Sequence, residues 1–178
     1  MTCHTAATGF VGHGVTTSQH KPSPTPADHV RDAVVRLFCA VEERDATTYL
    51  ESIYHAEVII HESPALPYGG CYRGLVGVAQ HAHAFLATWA PHQSAADRAM
   101  HAHIDAVADH AYVRWTLGAS GRRFPMISHY RFRAGRIVES RMYPFDLVGL
   151  VTWWRRLRND TTPGICAIEG KDDIDTRR

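Results

Sequence analysis

Residues 124–145, FPMISHYRFR-AG-RIVESRMYPF, constrain this chain more than any other segment. Two runs rich in β-branched and aromatic side chains are joined by Ala134-Gly135 alone. So short a link must fold straight back, which makes the runs an antiparallel hairpin. Upstream, AMHAHIDAVA (99–108) and AYVRWTLGAS (111–120) also read as strands, with Asp109-His110 as the turn between them. The second half of the chain is thus a meander of strands.

The first half is mostly helical. In residues 28–45, Val30, Val34, Leu37, Phe38 and Val41 recur at helical spacing, and Asp28 is the expected N-cap. ATTYLESIY (46–54) reads as a short second helix and HAEVIIHE (55–62) as a strand. LVGVAQHAHAFLATWAP (75–91) reads as a third helix, entered from Gly74 and stopped by Pro91. DLVGLVTWWRRL (146–157) reads as a terminal helix capped by Asp146. The order implies an α+β fold, with helices on one face of a curved antiparallel sheet. Such a plan encloses a cone suited to a small molecule. Residues 1–27 and 158–178 are expected to be loose tails around one domain spanning 28–157.

Composition removes several function classes. The net charge is +1, from 19 basic and 18 acidic residues, so neither nucleic acid nor an acidic membrane is an expected partner. No apolar run is long enough for a spanning helix. Cys3, Cys39, Cys71 and Cys166 show no C-x-x-C spacing, hence no zinc or redox signature. The opening residues lack a basic n-region and a continuous apolar h-region, so no secretory signal is expected, and a reducing, cytoplasmic setting is expected.

The chain holds 13 histidines. His81 and His83 lie in the third helix, where a two-residue step turns them about 200° apart. His101 and His103 lie in an expected strand, where the same step puts both on one face. Before the third helix comes HESPALPYGGCYRG, residues 61–74. Pro64 and Pro67 restrict this loop, while Gly69 and Gly70 let it fold back. It is expected to carry Glu62 at the strand end and to hang Tyr68 over the cone mouth. Strand periodicity puts Glu62 on one face with Ile60 and sends His61 to the other; a bulge at the strand end would exchange them.

YHAEVIIHESPALPYGGCYRGLVGVAQHAHAFL, HIDAVADHAYVRWTL and YRFRAGRIVESRMYPFDLVGL together carry a family pattern over roughly residues 28–155. The chain resembles the SnoaL-like polyketide cyclases of the nuclear transport factor 2-like superfamily, which also holds ketosteroid isomerase, scytalone dehydratase and limonene epoxide hydrolase. The resemblance implies a cone-shaped α+β barrel with polar site groups on the concave face of the sheet. The Arg-x-Asp of limonene epoxide hydrolase matches His103-Ile104-Asp105, its first-strand tyrosine and asparagine match Ile60 and Glu62, and its second aspartate matches Met142. The water-activating set is therefore incomplete. At the aspartate that cyclases of the group often carry, this chain has Ser128, followed by His129.

On that footing Asp105, His103, Glu62 and Tyr68 are the expected catalytic groups. Aspartate is uncommon inside strands, and burial would raise its pKa into a useful range. Asp105 would orient His103, and the Tyr68 hydroxyl would donate to a developing oxyanion. His61, Tyr72, Trp89, His101, Trp115, Ser128, Tyr130 and Met142 are the expected substrate-binding residues. Glu139 and Arg141 share a strand face and are expected to form a structural ion pair. His101, His103 and Asp105 would have to converge to hold a metal; no metal and no cofactor is expected.

These readings converge on a cofactor-independent cyclase or isomerase of natural-product metabolism. Its substrate would be an apolar, oxygen-bearing small molecule, closed into a ring by general acid/base catalysis on an epoxide or an unsaturated carbonyl. An epoxide hydrolase, a dehydratase or a non-catalytic binding module on the same fold are the alternatives. A homodimer is expected from the family and from the exposed-looking TWW, Thr152–Trp154.

Overall fold

The computed structural model describes residues 25–43, 50–98 and 101–160. The expected tails lie almost wholly outside the described residues, as do residues 46–49 of the expected second helix. Helix α1 (Pro26–Glu43) starts two residues before the expected position. Thr25 is its cap rather than Asp28. The Asp28 backbone N–H donates to the Thr25 hydroxyl at 3.2 Å, and the Thr25 N–H donates back to the Asp28 carboxylate at 2.8 Å. This reciprocal pair satisfies two helix-end groups at once, with Pro26 at the first helical position where no N–H is needed.

A short helix α2 (Leu50–Ile53) leads into strand β1 (Tyr54–Glu62). Strand β2 (Gly70–Arg73), inside what the sequence reads as loop, pairs antiparallel with β1 and runs into helix α3 (Gly74–Trp89). A 3₁₀ turn at 90–92 and a one-turn helix α4 (Ala95–Arg98) precede the meander of β3 (His103–Val107), β4 (His110–Ala119), β5 (Arg122–Arg133) and β6 (Arg136–Pro144). Helix α5 (Leu147–Asp160) closes the described chain. Ala134 and Gly135 turn with φ of 50° and 73°, the left-handed pair that a two-residue hairpin requires.

The six strands run β2-β1-β6-β5-β4-β3. The sheet is mixed rather than purely antiparallel, because β1 lies parallel to β6. The reason is topological: the chain crosses by α3 to the far edge, and three hairpins bring it back to β1 in β1's own direction. One face of the curved sheet is covered by helices and is lined by Val58, Ile60, Ile104, Ala111, Val113, Met126, Tyr130 and Ile137, all buried. The other face is polar and open. The result is the cone-shaped α+β architecture.

Asp146 caps α5 as expected, accepting from the Gly149 N–H at 2.7 Å. The TWW segment is less exposed than its sequence implies. Trp153 and Trp154 are half-buried, with Trp153 stacked on Trp89 at 6.1 Å between ring centres and Trp154 edge-on to it at 5.5 Å. Among the described residues no helix is long and apolar enough to cross a membrane.

Candidate active site

Strand β1 alternates Val58, Ile60 and Glu62 onto the covered face, so its last residue turns a carboxylate into the core. The Glu62 side chain has no exposed surface. Opposite it runs α3, whose inward stripe is Val78, His81, Phe85 and Trp89, at steps of three and four. The His81 Nε2 lies 2.7 Å from Glu62 Oε1. Gly77 allows this approach. A Cβ there would stand 2.9 Å from the Tyr72 carbonyl carbon, so any side chain would push α3 away from β2.

Burial raises the Glu62 pKa above its ordinary value, and the hydrogen bond and charge of His81 oppose that rise without cancelling it. Oε2, the second carboxylate oxygen, has no hydrogen-bond partner among the described residues. Glu62 therefore has one oxygen anchored and one available. That is the arrangement of a positioned proton acceptor or donor.

Tyr68 hangs inward rather than over the mouth, with 2% of its surface exposed. Two linked turns place it: Leu66 N–H donates to Ser63 C=O at 3.0 Å, and Gly69 N–H donates to Leu66 C=O at 2.9 Å. A Cβ on Gly69 would sit 2.2 Å from the Ser63 oxygen, so only glycine allows this path. The Tyr72 hydroxyl ties the loop down by donating to the Tyr68 C=O at 2.7 Å. The Tyr68 ring meets His81, Phe85 and Trp89 edge-on, at 6.1, 5.4 and 6.1 Å. Burial, with the Glu62 charge adding, drives its pKa up, so the hydroxyl keeps its proton.

The sheet supplies the floor. Trp115 Nε1 donates to the fully buried Ser128 hydroxyl at 2.9 Å, which leaves both groups satisfied. Burial pushes the Tyr130 pKa up to about 12, partly offset by its hydrogen bond to Ser128. Tyr54, also buried, is raised by the same cause, with Tyr130 and Glu62 adding. Met142 lies on the covered face beside Ser128 in register. Glu62, Tyr68, Tyr72, Trp89, Trp115, Ser128, Tyr130 and Met142 thus belong to one interior cluster.

Other expected residues lie elsewhere. Register puts Asp105 across from Tyr112, then His129, then Arg141, then His61, a row on the open face. The buried neighbour of Asp105 is Ile104, which takes the inward position in β3. Asp105 is 56% exposed and contacts His103 at 3.1 Å and Arg114 at 3.9 Å. The expected concave-face carboxylate is therefore on the wrong face by one residue of strand period. His101 precedes β3 and is exposed, so it shares no strand face with His103. His61 is on the open face, 3.8 Å from Glu139. Arg141 donates to Glu139 at 2.8 Å, the structural pair expected of them.

His81 is the group that sequence reasoning missed. Its signal was present in the helical stripe it shares with Val78, Phe85 and Trp89, rather than in its spacing from His83, which is exposed. Among the described residues no three metal-ligating side chains converge.

The family model described as the SnoaL-like domain matches residues 34–140. No curated protein matches the chain. Among solved structures, Bal32a from a soil-derived mobile gene cassette aligns with a TM-score of 0.58 at 17% identity, over 74% of this chain and 100% of that one. IdmH from Streptomyces antibioticus, a candidate polyketide cyclase, aligns at 0.51 and 21% identity, over 70% of this chain and 97% of its own. A candidate polyketide cyclase from Sinorhizobium meliloti aligns at 0.50 and 16% identity, over 63% and 94%. At these identities the likeness is one of fold.

Proposed function

The chain belongs to the SnoaL-like domain family, whose model spans more than half of it, and from there we propose that it is an acid/base cyclase or isomerase of apolar, oxygen-bearing small molecules. One observation carries the reading: a carboxylate wholly out of water, anchored through one oxygen by His81 and open at the other. The buried aromatic groups around it favour a mainly apolar substrate, and the candidate cyclases that share the fold agree with ring closure.

The chemistry uses the chain's own groups. Glu62 Oε2 takes a proton from an activated carbon or a hydroxyl of the substrate. The electron pair left behind attacks an electrophilic carbon of the same molecule, forming the ring bond while that carbon's epoxide C–O bond breaks, or the π bond of the unsaturated carbonyl shifts, towards oxygen. The oxygen that gains charge is held by the Tyr68 hydroxyl and takes the proton back. Substrate and product are isomers, so no other reactant enters the balance. His81 holds the carboxylate in line through Oε1. Enclosure in low dielectric strengthens each of these interactions, and holding the substrate folded near the attack geometry supplies much of the rate.

The test is proton removal itself. The enzyme should exchange the α-hydrogens of 2-tetralone for deuterium in D₂O, followed by NMR. Glu62→Gln should slow that exchange by roughly 10²-fold or more, the usual scale of a positioned base. Exchange by Glu62→Gln at the wild-type rate would sink the reading.

A further inference from the structure

Three buried polar atoms lack hydrogen-bond partners among the described residues: Glu62 Oε2, the Tyr68 hydroxyl and Trp89 Nε1. Leaving one such group unpaired costs on the order of 1–3 kcal/mol, so native interiors hold few of them. Here they fall in one connected cluster. Tyr68 meets both His81 and Trp89 edge-on, and His81 is bonded to Glu62. The mechanism above uses the first two atoms and leaves the indole N–H unexplained.

Trp89 is wholly buried, and its ring faces are taken: Trp153 stacks on it and Tyr68, Phe85 and Trp154 surround it. Packing accounts for the ring, and a phenylalanine would serve that purpose without a buried N–H. The Tyr68 ring meets the indole edge-on at 6.1 Å, and neither the indole N–H nor the hydroxyl has a hydrogen-bond partner among the described residues. The two donors are neighbours without being partners.

We propose that Trp89 Nε1 and the Tyr68 hydroxyl form a two-donor seat for one oxygen of the ligand, next to the reactive oxygen of Glu62. Indole can only donate, and the phenol keeps its proton, so the seat requires an acceptor with two lone pairs, as a carbonyl or enolate oxygen has. The aromatic surroundings require the rest of the ligand to be a flat, mainly apolar ring system. The seat selects ketones and their enolates over hydrocarbons of equal shape. Trp89 is then a binding residue that reads oxygen, beyond its part as apolar lining.

This inference rests on the acid/base reading of the same site, but it is tested by affinity rather than turnover. Dissociation constants for 2-tetralone and for tetralin, its oxygen-free counterpart, would be measured by calorimetry on the full chain. Wild type should favour the ketone by about 10-fold or more, the worth of a hydrogen bond to a buried group. Trp89→Phe and Tyr68→Phe should each bring that ratio to within about 3-fold of unity, while tetralin affinity stays near wild type. Thermal melts would establish which variants fold, and Trp89→Leu, which also lacks the N–H, carries the test if Trp89→Phe does not. A wild-type ratio near one, failure of 2-tetralone to bind, or a ratio unchanged in the folded variants would each overturn the seat. Glu62→Gln should keep the wild-type ratio while losing exchange. Loss of the seat and loss of the catalytic base are thereby told apart.

Discussion

A carboxylate that leaves water on folding ties the stability of the protein to pH. Glu62 has its folded pKa raised above the ordinary glutamate value of 4.5 by burial. Below 4.5 the group is protonated in folded and unfolded chains alike. As pH rises past that point the unfolded chain releases its proton while the folded chain retains it, so stability falls until the raised folded pKa is passed. Glutamine does not titrate. The melting temperature of Glu62→Gln, relative to wild type, should therefore climb as pH rises above 4.5 and level off once the raised folded value is passed, as read by calorimetry at several pH values. A flat difference would mean that Glu62 is not held in a raised state. The residue itself was legible in the sequence, because alternation with Val58 and Ile60 sends it inward. Its partner was not, since His81 lies 19 residues away on another element.

At the scale of elements, the site depends on how closely α3 lies over β1 and β2. Gly77 is the point of closest approach to Tyr72. Gly77→Ala should destabilise the protein by about 1–3 kcal/mol in urea unfolding, because the obstacle is backbone and cannot rotate away. The same shift should lengthen the His81–Glu62 contact and lower the exchange rate. Unchanged stability would show that α3 moves without cost. Helix α3 and the β5–β6 hairpin were readable from periodicity and from a turn with only one geometry. Strand β2 was not, because four residues after a glycine- and proline-rich loop become a strand only when β1 supplies hydrogen-bond partners. The face of β3 was misjudged for a related reason. Ile104 and Asp105 differ by one step, and pairing with β4 decides which of them points inward.

At the scale of the molecule, α5 completes the wall around Trp89. Trp153 stacks on that indole and also meets Phe124 at 5.1 Å. Trp153→Ala should cost about 1–3 kcal/mol of stability, less than a fully buried tryptophan because the ring is only half-buried. It should also expose Trp89, seen as a red shift of its fluorescence and faster quenching by acrylamide. A melt and spectrum like wild type would detach α5 from the site. The pair of tryptophans that reads as a surface for self-association is thus half-buried against Trp89, with part of each residue still exposed.

Local pattern was enough to determine the main helices and the strands of the meander, the α+β class and the family resemblance, since periodicity, turn residues and capping act over a few residues. It also marked residues 61–74, which carry Glu62 and Tyr68, as the approach to the candidate site. Only the tertiary structure decided which polar groups meet. Strand register selected Glu62 and turned Asp105 and His103 to the open face. Helix docking brought His81 to within 2.7 Å of Glu62. Both outcomes depend on pairings between distant segments, where one residue of slip reverses a face, and no local stretch of sequence contains that information.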